Sequence, residues 1–231
     1  GNCDPKNKKN YRTRCSALLT INNINIIFDT SPDLKSQLLK NKIKNIDHVF
    51  YTHHHADQTH GINELRVFYL KNRKKIPVYG DYITKKYLYN SFEYCFDDTK
   101  DYPATLKFFN LRKKMIIDKG IHIISVPVKH GLIKSNAYII NETCAYAPDV
   151  NKIFNKDLNR FKNLKYFVID CLRYNFHPSH FNLSDVLELI KIIKPKKTIL
   201  TNLHNDIDYV KIKKKLPMNV FPAYDGLSFN I

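Results

Sequence analysis

Residues 47–61 read Asp47-His48-Val49-Phe50-Tyr51-Thr52-His53-His54-His55-Ala56-Asp57-Gln58-Thr59-His60-Gly61. A short apolar strand, His48 to Tyr51, runs straight into three consecutive histidines. In an extended turn alternate side chains point the same way. His53, His55 and Asp57, at spacing two, therefore converge while His54 points away. Two imidazoles and a carboxylate aimed at one point are the donors a divalent metal needs. A histidine triplet at a strand end has no packing use, and burying its polar atoms without partners is costly. The stretch predicts a metal site built around His53, His55 and Asp57.

Residues 16–28 read as two strands joined by a tight turn at Asn22-Asn23. Pro32 opens a helix with Leu34, Leu38 and Leu39 on one face. A helix is expected from about Thr59, a strand at 76–79 and an aromatic-rich helix at 84–96. Beyond residue 120 the texture changes to consecutive strands at 121–128, 137–140 and 145–147. Tyr166 to Leu172 is a buried strand with almost no polar residue until Asp170. Asn182 or Ser184 caps a helix with Val186, Leu187, Leu189 and Ile190 inward. A strand at 198–203 and a basic helix at 209–216 complete the pattern. Alternating strands and helices, strand-rich in both halves, predict two layers of sheet with helices outside. No repeat or linker divides the chain, so one domain over residues 1–231 is expected.

The run His53-His54-His55-Ala56-Asp57-Gln58 resembles the H-x-H-x-D-H mark of the metallo-β-lactamase superfamily, with Gln58 in place of the last histidine. The resemblance continues in order along the chain. Phe28-Asp29-Thr30 is similar to the early strand ending in Asp-Thr. Val128-Lys129-His130-Gly131 is similar to the motif in which a strand ends in a metal-binding histidine. Ala147-Pro148-Asp149 is similar to the one carrying an aspartate that bridges two metals. The last strand, which usually ends Thr-His, ends here in Thr201-Asn202. The resemblance implies an α/β fold, a four-layer αββα sandwich of the metallo-β-lactamase type. Within the superfamily, His60 to Arg66, His177-Pro178-Ser179-His180-Phe181 and Asp206-Ile207-Asp208 resemble the cyclic-phosphate phosphodiesterase group of phosphonate breakdown. Members of that group begin with a Gly-Ser-rich first strand. Nothing like it stands here, so the expected fold lacks that strand.

The implied metal set is His53, His55, Asp57, His130 and Asp149, with His204 as a stand-in donor near Asn202. Gln58 and Asn202 replace two imidazoles, and an amide oxygen suits a harder ion such as manganese better than zinc. One or two divalent ions, zinc or manganese, are the expected cofactors. The expected activity is phosphodiester hydrolysis on a small cyclic phosphate or nucleotide-like substrate. Asp57 orients and deprotonates the attacking water, and His180 is the candidate general acid. His177 and Arg173 are the candidate substrate contacts, Arg66 a further phosphate clamp, and His60 a supporting or capping group rather than a ligand.

Lys+Arg number 38 against 21 Asp+Glu, a net charge of +17. The basic residues are scattered in short groups, which reads first as solvated surface and second as attraction to a polyanion. That second reading supports one rival, an RNA-processing metallo-nuclease. A second rival is a non-catalytic nucleotide- or protein-binding domain with a degenerate metal centre, for which Gln58 and Asn202 speak. β-Lactam hydrolysis is the least favoured, since fold does not give substrate. Five cysteines without C-x-x-C spacing argue against a disulfide framework or an all-cysteine zinc site and fit a reducing cytoplasm. No stretch approaches the roughly 20 apolar residues of a membrane span.

Overall fold

The computed structural model describes residues 1–100 and 102–231. The chain falls into two compact units, one of residues 14–112 and one of residues 1–13 with 113–231.

The unit of residues 14–112 holds a five-stranded sheet in the order β1-β2-β3-β4-β5. Strands β1 (Ala17–Ile21) and β2 (Ile24–Phe28) form an antiparallel hairpin. Asn22 and Asn23 turn it at φ of 51° and 64°, the left-handed conformation a two-residue hairpin demands and asparagine tolerates. Thereafter the strands are parallel: β3 (His48–Phe50), β4 (Ile76–Gly80) and β5 (Leu106–Asn110). Parallel neighbours need crossovers, supplied by α1 (Leu34–Lys40), by α2 (Ala56–Thr59) with α3 (Arg66–Asn72), and by α4 (Tyr82–Phe92). The core packs Val49 and Val78 from the strands and Tyr51, just after β3, with Leu34, Leu65 and Leu88 from the helical segments.

The helix expected from Thr59 is broken. One α-turn ends at Thr59, a 3-10 turn covers Ile62–Leu65, and only then does α3 begin. The cause is backbone pairing with residues 30–31. Thr30 N donates to Gln58 O and Gly61 N donates to Thr30 O, at 2.8 and 2.9 Å. A Cβ on Gly61 would stand 2.0 Å from Ser31 O, so glycine is required by this close approach.

The other unit holds a seven-stranded sheet in the order β12-β11-β10-β9-β8-β7-β6. Strands β6 (Lys114–Ile117), β7 (Ile121–His130), β8 (Ile133–Ile140) and β9 (Cys144–Ala147) form an antiparallel meander. From β9 the sheet turns parallel through β10 (Tyr166–Asp170), β11 (Lys197–Thr201) and β12 (Val220–Pro222). Helix α5 (Leu183–Ile193) crosses from β10 to β11, and α6 (Tyr209–Lys213) from β11 to β12. Asn182 begins α5 with a reciprocal capping box: its side chain accepts from Asp185 N, and Asp185 accepts from Asn182 N. Val186, Leu189 and Ile193 form the buried stripe, each contributing roughly 1.5–3 kcal/mol. Residues 1–13 belong to this unit. Asp4 N and Asn10 Nδ2 donate to Asp208 Oδ2 at 3.0 and 2.7 Å, and Arg12 Nη2 donates to Ile207 O at 2.8 Å.

Candidate metal centre

In the unit of residues 14–112, the histidine run leaves β3 at the carboxyl end of a parallel strand, where open α/β sheets place ligands. Asp29, buried and at φ 62°, sets the exit. Its carboxylate accepts from Thr52 N at 2.7 Å and from Thr52 Oγ1 at 3.0 and 3.1 Å. The hydroxyl hydrogen of Thr52 is thereby spent on Asp29. The 3.0 Å contact between Thr52 Oγ1 and His53 Nδ1 then requires Nδ1 to carry the proton, which makes Nε2 the electron-pair donor of His53. His53 is buried and His55 exposed, their rings 4.5 Å apart. His54 departs toward Tyr87, ring centroids 5.7 Å apart, and partial burial beside His55 holds its pKa below the usual histidine value.

The run is not extended throughout. His55 precedes the first residue of α2, so Asp57 sits in a helical first turn rather than two positions along a strand. Gln58, buried, donates from Nε2 to Asp57 Oδ2 at 3.3 Å. His60 caps the carboxyl end of α2 and bonds Tyr87 Oη through Nε2 at 2.8 Å. Arg66 lies over the Tyr102 ring at 3.7 Å.

In the other unit, three adjacent parallel strands deliver their carboxyl ends together. Asp149 follows β9, Asp170 ends β10 and Asn202 follows β11. The register pairs Ala147 with Ile169 and Asp170 with Thr201, so one edge of the sheet presents all three. His130, the last residue of β7, and His180, on the loop before α5, complete the group. One donor atom each from His130, Asp149 and His180 lies within 4.8 Å of the others.

Each member is held from behind. His130 Nδ1 bonds Ser179 O at 2.7 Å; a carbonyl only accepts, so the proton is on Nδ1 and Nε2 is the donor atom. His180 Nδ1 bonds Asp170 Oδ2 at 2.6 Å. That carboxylate oxygen also accepts from Val150 N at 3.0 Å. Asp170 is fully buried, and burial pushes its carboxyl well above the ordinary range, opposed by the Val150 and Asn202 hydrogen bonds. Asn202, at φ 59°, turns its amide nitrogen toward Asp149 Oδ1 at 3.2 Å. The residue standing where the resemblance implies an imidazole thus orients a carboxylate. Gly131 N donates to Asn151 Oδ1 at 3.0 Å, and Asn151 Nδ2 to Pro178 O at 2.9 Å. These bonds tie the His130 turn to the loop that carries His180.

His204 is not brought to this group. It is exposed and pairs with Asp206, Nδ1 to Oδ2 at 3.0 Å. His177 packs beside His180, ring centroids 4.9 Å apart. Its Nδ1 accepts from Ser179 N at 3.3 Å, which leaves the proton on Nε2. Burial, then the positive charges of His180, Arg173 and His204, holds its pKa below the usual value. Arg173 Nη2 donates to Phe176 O at 2.6 Å. The residues that sequence reasoning did not assign are Asp170, Thr52 and Asn151. Only Asp170 carried a signal, as the lone acid ending an otherwise apolar strand. Burial pushes the thiols of Cys95 and Cys144 up to about 11 and about 12, which keeps both protonated and unsuited to a metal.

The family model described as beta-lactamase superfamily domain matches residues 24–202. An octanoyltransferase of Porphyromonas gingivalis is 27% identical over 231 aligned residues, covering 97% of this chain and 46% of its own length. A ribonuclease Z of Methanocaldococcus jannaschii is 27% identical over 151 residues, covering 59% of this chain and 46% of its own. The chain thus spans about half the length of these curated relatives. The crystal structure of a diphosphatase from the PhnP family has 26% identity and a TM-score of 0.91, covering 98% of this chain and 87% of that one. The short form of human tRNase Z shares the fold at a TM-score of 0.71 and 16% identity, covering 100% of this chain and 96% of that one.

Proposed function

Since this chain belongs to the beta-lactamase superfamily, with a PhnP-like fold, we propose that it is a metal-dependent phosphodiesterase, its two units acting as one metallo-hydrolase domain. The observation that carries the reading is the group His130, Asp149 and His180, each donor braced by a partner behind it. The set fits a divalent ion: imidazole nitrogens with fixed tautomers and an oriented carboxylate, without a thiolate. Such donors suit zinc or manganese. We also propose His53, His55 and Asp57 as metal ligands, the first histidine having its Nε2 lone pair set by Thr52.

A divalent ion there supplies Lewis acidity, lowering the pKa of water and neutralising charge on phosphoryl oxygens. The chain's own groups do the rest. Asp57, its Oδ2 engaged by Gln58 Nε2, takes a water proton on Oδ1. His180, whose donor atom lies within 4.8 Å of those of His130 and Asp149, serves as a ligand rather than the general acid, and His177, whose Nε2–H can donate to the leaving oxygen, serves as the acid. Arg173, whose charge lowers the His177 pKa, faces substrate phosphate. His204 is left outside the centre. The substrate is a small phosphodiester, cyclic or nucleotide-like, in a reducing cytoplasm.

The test is metal content by elemental analysis of protein purified without chelators, with turnover of bis-p-nitrophenyl phosphate in added Mn²⁺ or Zn²⁺. About one or two ions per chain with turnover is expected. Chain without metal and without turnover would sink the proposal and favour the non-catalytic binding domain. The RNA-processing alternative is favoured by the net charge of +17 and the ribonuclease Z relative. RNA affinity falling steeply with salt, with RNA cut faster than the small diester, would select it.

No helix among the described residues is long and apolar enough to cross a membrane.

A further inference from the structure

The unit of residues 14–112 carries a second concave site that shares no residue with the histidine run. Helices α1 and α3 and the turn after α1 line an open groove of about 560 Å³, within the range of roughly 300–1,000 Å³ that small-molecule sites occupy. Its floor is apolar, formed by Leu38, Ile43 and Phe68. Two further aliphatic side chains on its walls, Leu39 and Val67, are 71% and 58% exposed. Around it stand Lys35, Lys42, Lys44 and Lys71, against one acid, Glu64. Lys71 Nζ donates to Lys44 O at 3.1 Å, which fixes one ammonium at the turn.

We propose that this groove binds the anion of a medium-chain fatty acid, the alkyl chain on the floor and the carboxylate among the lysines. Two features select this ligand. Among the described residues the lining offers no Asn, Gln, Ser or Thr side chain, its polar groups being the lysines and Glu64, so the polar edge of a nucleobase lying on the apolar floor would be buried without a partner there, at a cost. An alkyl chain has no polar edge, and each methylene it buries tightens binding roughly fourfold. The four ammonium groups then answer a single negative charge placed at the end of that chain.

The experiment is calorimetric titration of the full chain with hexanoate, octanoate and decanoate at low salt, beside decanol and butyrate. Saturable one-to-one binding that tightens roughly tenfold or more per pair of methylenes, with decanol clearly weaker than decanoate, is expected. V67D places a carboxylate in the groove at an exposed position and should weaken decanoate at least tenfold with an unchanged circular-dichroism spectrum. The double variant K42Q/K44Q should weaken decanoate severalfold and leave decanol unaffected. Absence of saturable binding, indifference to V67D in folded protein, or decanol binding as tightly as decanoate would each overturn the proposal. Binding needs neither bound metal nor turnover, so its failure is separate from that of the phosphodiesterase reading.

Discussion

Consider replacing Asp170 by asparagine and by alanine. Its Oδ2 accepts from His180 Nδ1 at 2.6 Å and from the backbone of Val150 at 3.0 Å. Alanine leaves the Val150 N–H without an acceptor where Val150 itself has no exposed surface. An orphaned buried donor costs about 1–3 kcal/mol, so D170A should lose at least that in urea unfolding. Asparagine keeps an acceptor oxygen with two lone pairs, so D170N should fold with a smaller loss. What it removes is the ionisable carboxyl behind His180 Nδ1, whose negative charge on metal binding would strengthen the basicity of the ring. Partners of that kind are worth 10–100-fold in metal affinity, equivalent to roughly 1.4–2.7 kcal/mol. The assay is competition for Zn²⁺ against a chromophoric chelator, run on wild type and D170N side by side. Metal affinity within twofold of wild type in folded D170N would refute the claim that Asp170 organises the centre.

H130A and H180A should each lose stoichiometric metal while H204A retains it, as elemental analysis will show; metal lost equally from H204A would return that residue to the ligand set. H177A should keep its metal and lose roughly 10²–10⁴-fold in kcat on bis-p-nitrophenyl phosphate, the range general acid catalysis supplies; unchanged kcat removes His177 from the mechanism. D29A strips the acceptor from the buried Thr52 N–H and should cost about 1–3 kcal/mol in chemical denaturation. Asp208 Oδ1 accepts from Lys211 N at 2.9 Å at the start of α6, and D208A should cost roughly 0.5–2 kcal/mol at neutral pH. The Lys211 and Asp4 backbone N–H groups lower the Asp208 carboxyl to about 2, below its unfolded value of about 3.9. Its stabilisation is therefore full above the unfolded value and lost as pH falls through the folded one. The difference between wild type and D208A, followed by thermal melts, should shrink from pH 5 to pH 2.

The parts legible in the sequence share a local cause. An apolar strand running into His53-His54-His55 announces itself by composition, and α5 by its stripe and its Asn182 cap. The strands around residues 121–147 show as runs of apolar residues between turns. The superfamily was readable because the motifs fall in order along the chain. What stayed hidden depends on partners far away in the chain. The turn of Asn202 toward Asp149 is a bond across 53 residues, and a one-dimensional reading sees only an amide where a histidine is expected. The break at His60-Gly61 comes from residues 30–31 pressing on that backbone, while local periodicity favours a continuing helix. The short strands β5 and β6 lie outside any legible alternation and are placed by pairing with β4 and β7.

The division of the chain bears on its synthesis. Residues 14–112 are continuous and close their own sheet, so that unit can fold as soon as it clears the ribosome. The other unit is interrupted by it. Asp4 must wait for Asp208, 204 residues later, and at about 5–20 residues per second that delay is on the order of 10–40 s. During that interval residues 1–13, with Lys6, Lys8 and Lys9 among them, are a nascent tether without a docking place. Nascent-chain stalling at successive lengths, read by limited proteolysis, should show protection of residues 14–112 first and of the opening segment last.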